Sequence, residues 1–126
     1  MTASLVLLAL AEALHLTEEV YKGFRRQFPL GEMPLPVFIG LNTLIYAFAI
    51  ITIALSVARQ EAFVPMAWLF AVGVGINGIG HLGAMVWRKG YFPGGLTAPL
   101  LIMSSALVIC QLLGMRHDAL SCLTTR

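Results

Sequence analysis

Charged residues divide this chain into apolar runs of nearly equal length. Three runs of 26 residues lack Asp, Glu, Lys and Arg: Met33–Ala58, Ala62–Trp87 and Gly90–Met115. A helix needs about 20 residues to cross a hydrocarbon core of about 30 Å, so each run is long enough to span a membrane. An N-terminal run is just long enough if its polar side chains face protein. The pattern predicts an all-α integral membrane four-helix bundle, a single domain over residues 1–126 with spans at approximately 2–21, 35–58, 63–87 and 96–115.

The N-terminal run carries four ionisable side chains, at Glu12, His15, Glu18 and Glu19. On a helix, Glu12, His15 and Glu19 share one face, whereas Glu18 lies about 100° round from Glu19 at its edge. A charged side chain at bilayer depth costs at least ~2.5–3.5 kcal/mol, so the stripe predicts a functional site in which a metal, a proton or a partner group offsets that cost. The structural alternative keeps Glu18 and Glu19 beside Lys22 in the headgroup region and His15 hydrogen-bonded in the core. It leaves Glu12 unexplained.

Composition supports a membrane protein and excludes some functions. The chain is 59% hydrophobic and 11% charged, far from the averages of soluble domains. Its net charge is only +2, and its few Lys and Arg stand at the ends of apolar runs, so no nucleic-acid-binding face is expected. Cys110 and Cys122 lack paired spacing, which predicts neither a disulfide framework nor a thiolate metal site. The first run has no basic n-region and is expected to remain in the mature protein.

The links between the runs predict a topology. Residues 22–32 form a polar link, Arg59–Glu61 a very short one and Arg88–Gly95 a glycine-rich turn. Five basic residues share the side of the first and third links, against three on the other side: Lys22, Arg25, Arg26, Arg88 and Lys89 against Arg59, Arg116 and Arg126. This bias predicts that the first and third links lie in the cytoplasm and that both termini lie outside. Cysteine labelling is then expected at positions 24 and 90 from the cytoplasm and at position 60 from outside.

A second polar group lies on the third run. Asn77 and His81 are four residues apart and share a helix face, near small residues that favour packing against protein. His15 lies seven residues before Lys22 and His81 seven before Arg88, which predicts that both imidazoles lie ~10 Å inside the same leaflet. The two histidines are therefore expected to meet. The alternative interpretation of this face is a small-residue packing seam with a hydrogen-bonded Asn77.

One shared cavity in the cytoplasmic half of the bundle is the central prediction. It is expected to be lined by the polar residues of the first and third runs: Glu12, His15, Glu19, Asn77 and His81, with Glu18 at its edge. On the second run, Asn42 and Tyr46 share a face that can contribute to the same cavity. On the fourth run the polar candidates are Thr97, Ser104 and Gln111, although Ser and Thr commonly bond to their own helix backbone.

Three blocks along the chain resemble the HXXEE family of small bacterial membrane proteins, a domain named for its motif and without an established activity. The blocks are His15-Leu-Thr-Glu18-Glu19, Asn77-x-x-x-His81, and Tyr91-x-Pro93-Gly94 with Thr97-Ala98 shortly after. Their order and spacing are similar to the family's, and together they span most of the chain. The resemblance implies a multi-span protein of the bacterial inner (cytoplasmic) membrane that is suspected of being an enzyme, and it supplies no reaction.

Spacing and chemistry suggest a metal site within this cavity. His15 and Glu19 on one helix and His81 on a facing helix would give two imidazoles and one carboxylate around an open position. That ligand set suits catalytic Zn or non-haem Fe, as in metal-dependent hydrolases and oxidoreductases. Glu12, one turn away, would be a fourth ligand or would orient His15.

The remaining residues suggest catalytic and gating roles. Glu18 would be an acid or base, and Asn77 a hydrogen-bond donor to a substrate oxygen. Tyr91 and Pro93 are expected to cap the cytoplasmic mouth of the site, with the Tyr91 hydroxyl pointing inward. The alternative is an ordinary interfacial Tyr91 in a tight turn. Without a metal, the same His, Glu and Asn groups suit acid–base chemistry on a hydrophobic substrate, as in membrane isomerases and cyclases.

Two functions outside catalysis stay open at this point. Four spans in a short chain with Glu12 midway along the first helix also resemble the small multidrug resistance exporters, in which such a carboxylate binds protons and cationic drugs. Those exporters do not carry the His15-x-x-Glu18-Glu19 or Tyr91-x-Pro93-Gly94 blocks. The other alternative is a non-catalytic structural or accessory membrane protein. The expected partners are the lipid bilayer and a hydrophobic small-molecule or lipid substrate, with a homodimer left open.

Overall fold

The computed structural model describes residues 1–29 and 31–124, with side chains as far as Met115. It contains five helices in the order α1 Thr2–Lys22, α2 Phe24–Gln27, α3 Leu35–Val57, α4 Phe63–Arg88 and α5 Ala98–Thr124. The prediction of an all-α fold is confirmed, since the described residues contain no strand. The predicted number of four helices is corrected to five, because a single helical turn, α2, forms in the link between the first two runs. The predictions about Arg116, Cys122 and Arg126 concern side chains outside the described residues.

Three of the described helices are long and apolar enough to cross a membrane: α3, α4 and the part of α5 from Ala98 to Met115. This finding supports a membrane protein. Helix α1, the first of the four predicted spans, is not among these three, although its 21 residues are long enough. Its ionisable residues lower the hydropathy of an otherwise apolar helix. Whether α1 crosses the bilayer therefore depends on how completely its polar face is turned toward the other helices.

The four long helices form a ring in which α1 and α4 lie across a diagonal. Helix α1 packs against α3 and α5, and α4 packs against the same two helices. The last turns of α1 and α4 lie at the same end of the bundle, because the Arg88 guanidinium at the end of α4 donates to the Gln27 carbonyl in α2 (3.0 Å). Parallel helices on a diagonal bring side chains from matching positions to the bundle axis.

The buried face of α1 changes from apolar to ionisable along its length. Its first half contributes Leu5, Leu8 and Ala11 to the hydrophobic core, together with apolar side chains of α3, α4 and α5. One turn beyond Leu8 the same face continues with Glu12 and later with His15. The bundle therefore has an apolar core at the end where α1 begins and a polar cluster toward the end where α1 finishes.

Helix α2 is placed over the polar end by a left-handed glycine. Gly23 has φ 71° and ψ 40°, and its N–H caps α1 by donating toward the Glu19 and Val20 carbonyls. This geometry is common at helix C-termini and reverses the chain direction. The link is held by an ion pair between Arg25 and Glu32 (2.8 Å). As a result, the residues after Gly23 fold back across the end of the bundle.

Candidate metal centre

Four residues predicted to line one cavity come together at the polar end. His15 is completely buried, and Glu19 and His81 are 6% and 4% exposed. The His15 and His81 rings meet edge to face with their centroids 4.5 Å apart. Asn77 Nδ2 lies 3.4 Å from His15 Nε2. Helices α1 and α4 thus bring the two histidines into contact across the diagonal of the bundle.

Glu19 lies between the two histidines. Its Oε1 atom is 3.1 Å from His81 Nε2 and 3.5 Å from His15 Nε2. All three residues offer one ligand atom within 4.8 Å of the others, so they form a group that can hold a metal ion. In a tetrahedral zinc site with bonds of about 2.0–2.1 Å, neighbouring ligand atoms lie about 3.3 Å apart. The two measured separations to Glu19 lie on either side of that value.

The hydrogen bond at the far side of His81 fixes which ring nitrogen carries a proton. His81 Nδ1 lies 2.6 Å from the Pro93 carbonyl oxygen. A carbonyl oxygen only accepts, so Nδ1 must donate and carry hydrogen. In the neutral ring this leaves the lone pair on Nε2, the atom that faces Glu19.

The protonated ring nitrogen of His15 can be assigned in the same way, from its contact with Thr97. Thr97 Oγ1 lies 2.6 Å from Glu18 Oε2 and 2.9 Å from His15 Nδ1. Glu18 also accepts two backbone N–H bonds, so it acts as an ionised acceptor and takes the single hydroxyl hydrogen of Thr97. Thr97 Oγ1 must then accept from His15 Nδ1. The lone pair of neutral His15 is therefore on Nε2 as well.

These assignments place three acceptors around one point. The Nε2 lone pairs of His15 and His81 and the Glu19 carboxylate converge, and Asn77 Nδ2 donates to His15 Nε2 at 3.4 Å. A cation or a proton among them would satisfy the remaining acceptors, His81 Nε2 and the Glu19 carboxylate. Histidine ligands of metals usually donate their other ring N–H to a carbonyl, a carboxylate or water, which fixes the tautomer. His81 with Pro93 and His15 with the Thr97–Glu18 pair follow that arrangement.

Glu18 makes four hydrogen bonds at the start of α5. Its oxygens accept from the Tyr91 hydroxyl (2.7 Å), the Leu96 N–H (3.1 Å), and the N–H (2.8 Å) and hydroxyl (2.6 Å) of Thr97. Leu96 and Thr97 stand directly before α5, so a carboxylate from another helix satisfies the backbone N–H groups that lead into α5. Burial and the Glu18 carboxylate raise the pKa of the Tyr91 hydroxyl, so Tyr91 stays protonated as a donor.

The loop before α5 lies directly on the two imidazoles. Pro93 is fully buried, and Gly94 has φ +87°. A Cβ atom on Gly94 would lie 2.5 Å from His81 Nδ1 and 2.6 Å from His15 Cε1. The loop therefore closes this end of the site through Pro93 and Gly94. The Tyr91 hydroxyl reaches Glu18, as described above, and its side chain is 43% exposed.

Several site residues could not be recognised from the sequence. Phe24 and Phe92 pack against the His81 ring, with centroid distances of 5.2 and 5.5 Å. Each lies next to a feature that the sequence does show: Phe24 follows Gly23, and Phe92 lies within the Tyr91-x-Pro93-Gly94 block. A single sequence does not show that these two rings line a histidine site. Thr97 is among the polar candidates of the fourth run, but its link to His15 and Glu18 could not be predicted, because an isolated Thr at a helix start more often caps its own helix.

An apolar cavity of about 570 Å³ adjoins the centre between α1, α3 and α4. Glu12, Glu19 and Asn77 are its polar lining on α1 and α4, and Asn42 contributes from α3. Glu12 is 3% exposed, and its Oε2 atom has no hydrogen-bond partner in the part of the chain whose side chains the structure describes. The prediction of one cavity lined by all these residues is corrected, because His15, His81 and Tyr46 are not part of this lining. The two imidazoles lie behind Glu19 and Asn77, with which they are in contact.

The other polar candidates of the fourth run lie apart from the centre. Ser104 donates to the Leu100 carbonyl of its own helix, as its residue type favours. Gln111 accepts from Ser4 at the opposite end of the bundle. Of the three candidates on that run, Thr97 is the one that contacts a site histidine.

The fold and the site define a class: a small all-helical protein with helices of membrane-spanning length and a buried His/Glu/His group. A family model described as "Protein of unknown function with HXXEE motif" matches residues 6–109. The chain belongs to the HXXEE family, as its three sequence blocks indicate. No curated protein matches the chain, and no solved structure does.

Proposed function

We propose that this protein is a membrane-embedded metalloenzyme that acts on a hydrophobic substrate, with Zn or Fe held by His15, Glu19 and His81. The observation that carries the proposal is the convergence of two Nε2 atoms on Glu19 Oε1, at 3.1 and 3.5 Å, with both opposite ring nitrogens engaged as donors. Two imidazoles and one carboxylate leave a coordination position open for water or substrate. A bound cation of this kind acts as a Lewis acid and lowers the pKa of a bound water.

The neighbouring residues have separate roles in this proposal. Glu12 and Asn77 line the cavity beside the ligands, where they can accept a proton from or donate a hydrogen bond to a bound molecule. Glu18 is better suited to positioning than to proton transfer, because its oxygens already accept four hydrogen bonds. We therefore assign Glu18 the task of orienting His15 through Thr97, in place of the acid or base suggested by spacing alone.

A metal-free acid–base enzyme is the second candidate. The observation that favours it is the 3.1 Å separation between His81 Nε2 and Glu19 Oε1, which is a hydrogen-bond distance. A proton between these atoms would satisfy the same acceptors that a metal would bind. The adjoining apolar cavity then serves either enzyme equally, so metal content is the property that separates the two candidates.

Metal analysis of protein purified in mild detergent tests the proposal. We expect about one Zn or Fe per chain, because the three ligands define a single site. Glu61→Gln is the matched control, since Glu61 is exposed and should leave the metal content unchanged. Preparations that fold and stay metal-free after supply of Zn and Fe would contradict the metalloenzyme and favour the acid–base candidate.

Replacement of Thr97 by valine tests the outer partners of the centre. Valine keeps the shape of threonine but removes the hydroxyl that links His15 to Glu18, so the orientation of the imidazole is lost. Loss of such a partner typically weakens metal binding by about 10–100-fold, which competition with a chromogenic chelator can measure. Thr17→Val is the control, because the Thr17 hydroxyl donates to the Ala13 carbonyl of its own helix. Equal affinities in the two variants would refute the role of Thr97.

We further propose that α1 is a fourth span and that both termini lie outside the inner membrane. In a background without the native cysteines, Arg26→Cys and Gly90→Cys should label from the cytoplasm and Gln60→Cys from outside. Position 26 is preferred to position 24, since Phe24 packs on His81 whereas Arg26 is exposed. Ala3→Cys, at the exposed start of α1, should label from outside. The opposite labelling pattern would invert the topology, and labelling of Ala3→Cys and Arg26→Cys from the same side would contradict α1 as a span.

A further inference from the structure

We infer that the cavity beside the metal centre binds a lipid-phase molecule with an apolar body and a hydrogen-bond donor, such as a hydroxyl, at one end. The molecule enters sideways between α3 and α4, and its donor group binds Glu12. This inference rests on the proposed function and defines the substrate class of the same site. A volume of about 570 Å³ lies within the range of small-molecule sites, about 300–1,000 Å³.

The mouth of the cavity faces the apolar outer surface of the bundle. Leu41 and Leu44 on α3 and Leu69 on α4 line the cavity and are 48%, 68% and 68% exposed. The lining continues inward to the buried side chains of Phe70 and Val74. Both helices are long and apolar enough to span a membrane, so a mouth between them opens toward acyl chains.

The buried end of the cavity offers one free polar group. Among residues 1–29 and 31–115, Glu12 Oε2 has no hydrogen-bond partner, although Glu12 is 3% exposed and lines the cavity. A buried polar atom without a partner costs free energy that a suitable ligand group can recover. A hydroxyl that donates to this oxygen would lie beside Glu19, one of the proposed metal ligands, because both carboxylates line the same cavity.

The charge of the lining selects against acidic lipids. Its ionisable residues are Glu12 and Glu19, and the lining contains neither Lys nor Arg. A fatty acid or a phospholipid phosphate would bring a further negative charge to this end without a cationic partner. Apart from Asn42 and Asn77, the rest of the wall is apolar and rich in phenylalanine, including Phe24, Phe38 and Phe48. This surface suits an uncharged aliphatic or aromatic body.

Photolabelling with matched probes tests the inference. The probes are a diazirine-bearing long-chain alcohol, its methyl ether and the fatty acid of the same length, each added to full-length protein in detergent or in vesicles. We expect the alcohol to label cavity residues of α3 and α4 about tenfold more efficiently than the ether, which lacks the donor, and more efficiently than the acid. Peptide mapping should place the label near Leu41, Leu44 or Leu69, and excess unlabelled alcohol should compete.

Two variants separate specific binding from contact with surrounding lipid. Gly73 lines the cavity, and a side chain built there would meet no atom within 4 Å, so Gly73→Phe should fill the cavity and remove labelling. Gly80→Phe is the control, because Gly80 is exposed on the same helix, has equal space and is not in the lining. Glu12→Leu should leave the cavity open and abolish the preference for the alcohol over the ether.

The outcomes also separate this inference from the metal proposal. Metal content is measured on the same preparations, and alcohol-selective labelling of metal-free protein would support the cavity and contradict the metal. Equal labelling by alcohol and ether, or labelling unchanged in Gly73→Phe, would overturn the inference even with the metal present. Labels confined to lipid-exposed residues outside the cavity would overturn it as well. So would labelling that is blocked only when two chains associate through their α3–α4 faces.

Discussion

Gly94→Ala is expected to destabilise the protein strongly and to disrupt the centre. A non-glycine residue held in such a left-handed backbone conformation costs about 1–3 kcal/mol. The new methyl group would also overlap both imidazoles, at 2.5 Å from His81 Nδ1 and 2.6 Å from His15 Cε1. Forcing extra atoms into a packed site typically costs a further ~1–3 kcal/mol. We expect the melting temperature in mild detergent to fall by about 10 °C or more, with loss of metal binding.

Gly90→Ala provides the matched control for this prediction. Gly90 belongs to the same loop, but its φ is not positive and the nearest atom to an added Cβ, the Arg88 carbonyl oxygen, is 3.8 Å away. This variant should melt within a few degrees of the wild-type protein. If Gly94→Ala and Gly90→Ala behave alike, the loop does not lie on the histidines as described.

Glu19→Gln is expected to abolish metal binding while the protein remains folded. The substitution removes the anionic ligand between His15 and His81, which should reduce affinity by more than the about 10–100-fold that loss of an outer partner causes. The amide NH₂ of glutamine can instead donate to the imidazole lone pairs at the distances seen for Glu19, 3.1 and 3.5 Å. The metal-free variant should therefore keep its hydrogen bonds and its helical content.

The measurements for Glu19→Gln are metal content and circular dichroism on the same sample. His81→Ala should lose the metal as well, but it also leaves a void among Phe24, Phe92 and Pro93 and is expected to be less stable. A Glu19→Gln protein that keeps its metal would show that Glu19 is not a ligand. A Glu19→Gln protein that unfolds would show that the carboxylate is required for structure in a way that the hydrogen-bond assignment does not explain.

The long helices could be predicted because the positions of charged residues are informative in an apolar chain. Runs without charge mark the segments that are buried in the bundle or face lipid. The three runs correspond to α3, α4 and the first part of α5. Helix α2 could not be predicted in this way, since four residues are too few to show a period. Its formation depends on the left-handed Gly23 and on tertiary contacts of Phe24.

The meeting of His15 and His81 could be anticipated from matched depth along two parallel helices. Helical periodicity gives the face on which a side chain lies and its height, and these two quantities were sufficient here. They do not show which loop atoms lie against that face. The bond from His81 to the Pro93 carbonyl and the link from His15 through Thr97 to Glu18 depend on a loop conformation that has no period. Glu18 was accordingly expected to transfer protons, whereas its contacts favour a positioning role.

X-ray absorption at the metal edge of the wild-type protein tests the central claim most directly. The predicted spectrum shows two imidazole nitrogens and a carboxylate oxygen at about 2.0–2.2 Å, with a further light atom at the open position. In Glu19→Gln protein, a spectrum from any residual metal should lack this set. A wild-type spectrum with a sulfur ligand, or with only water and carboxylate oxygens typical of loosely bound surface metal, would contradict a centre formed by His15, Glu19 and His81.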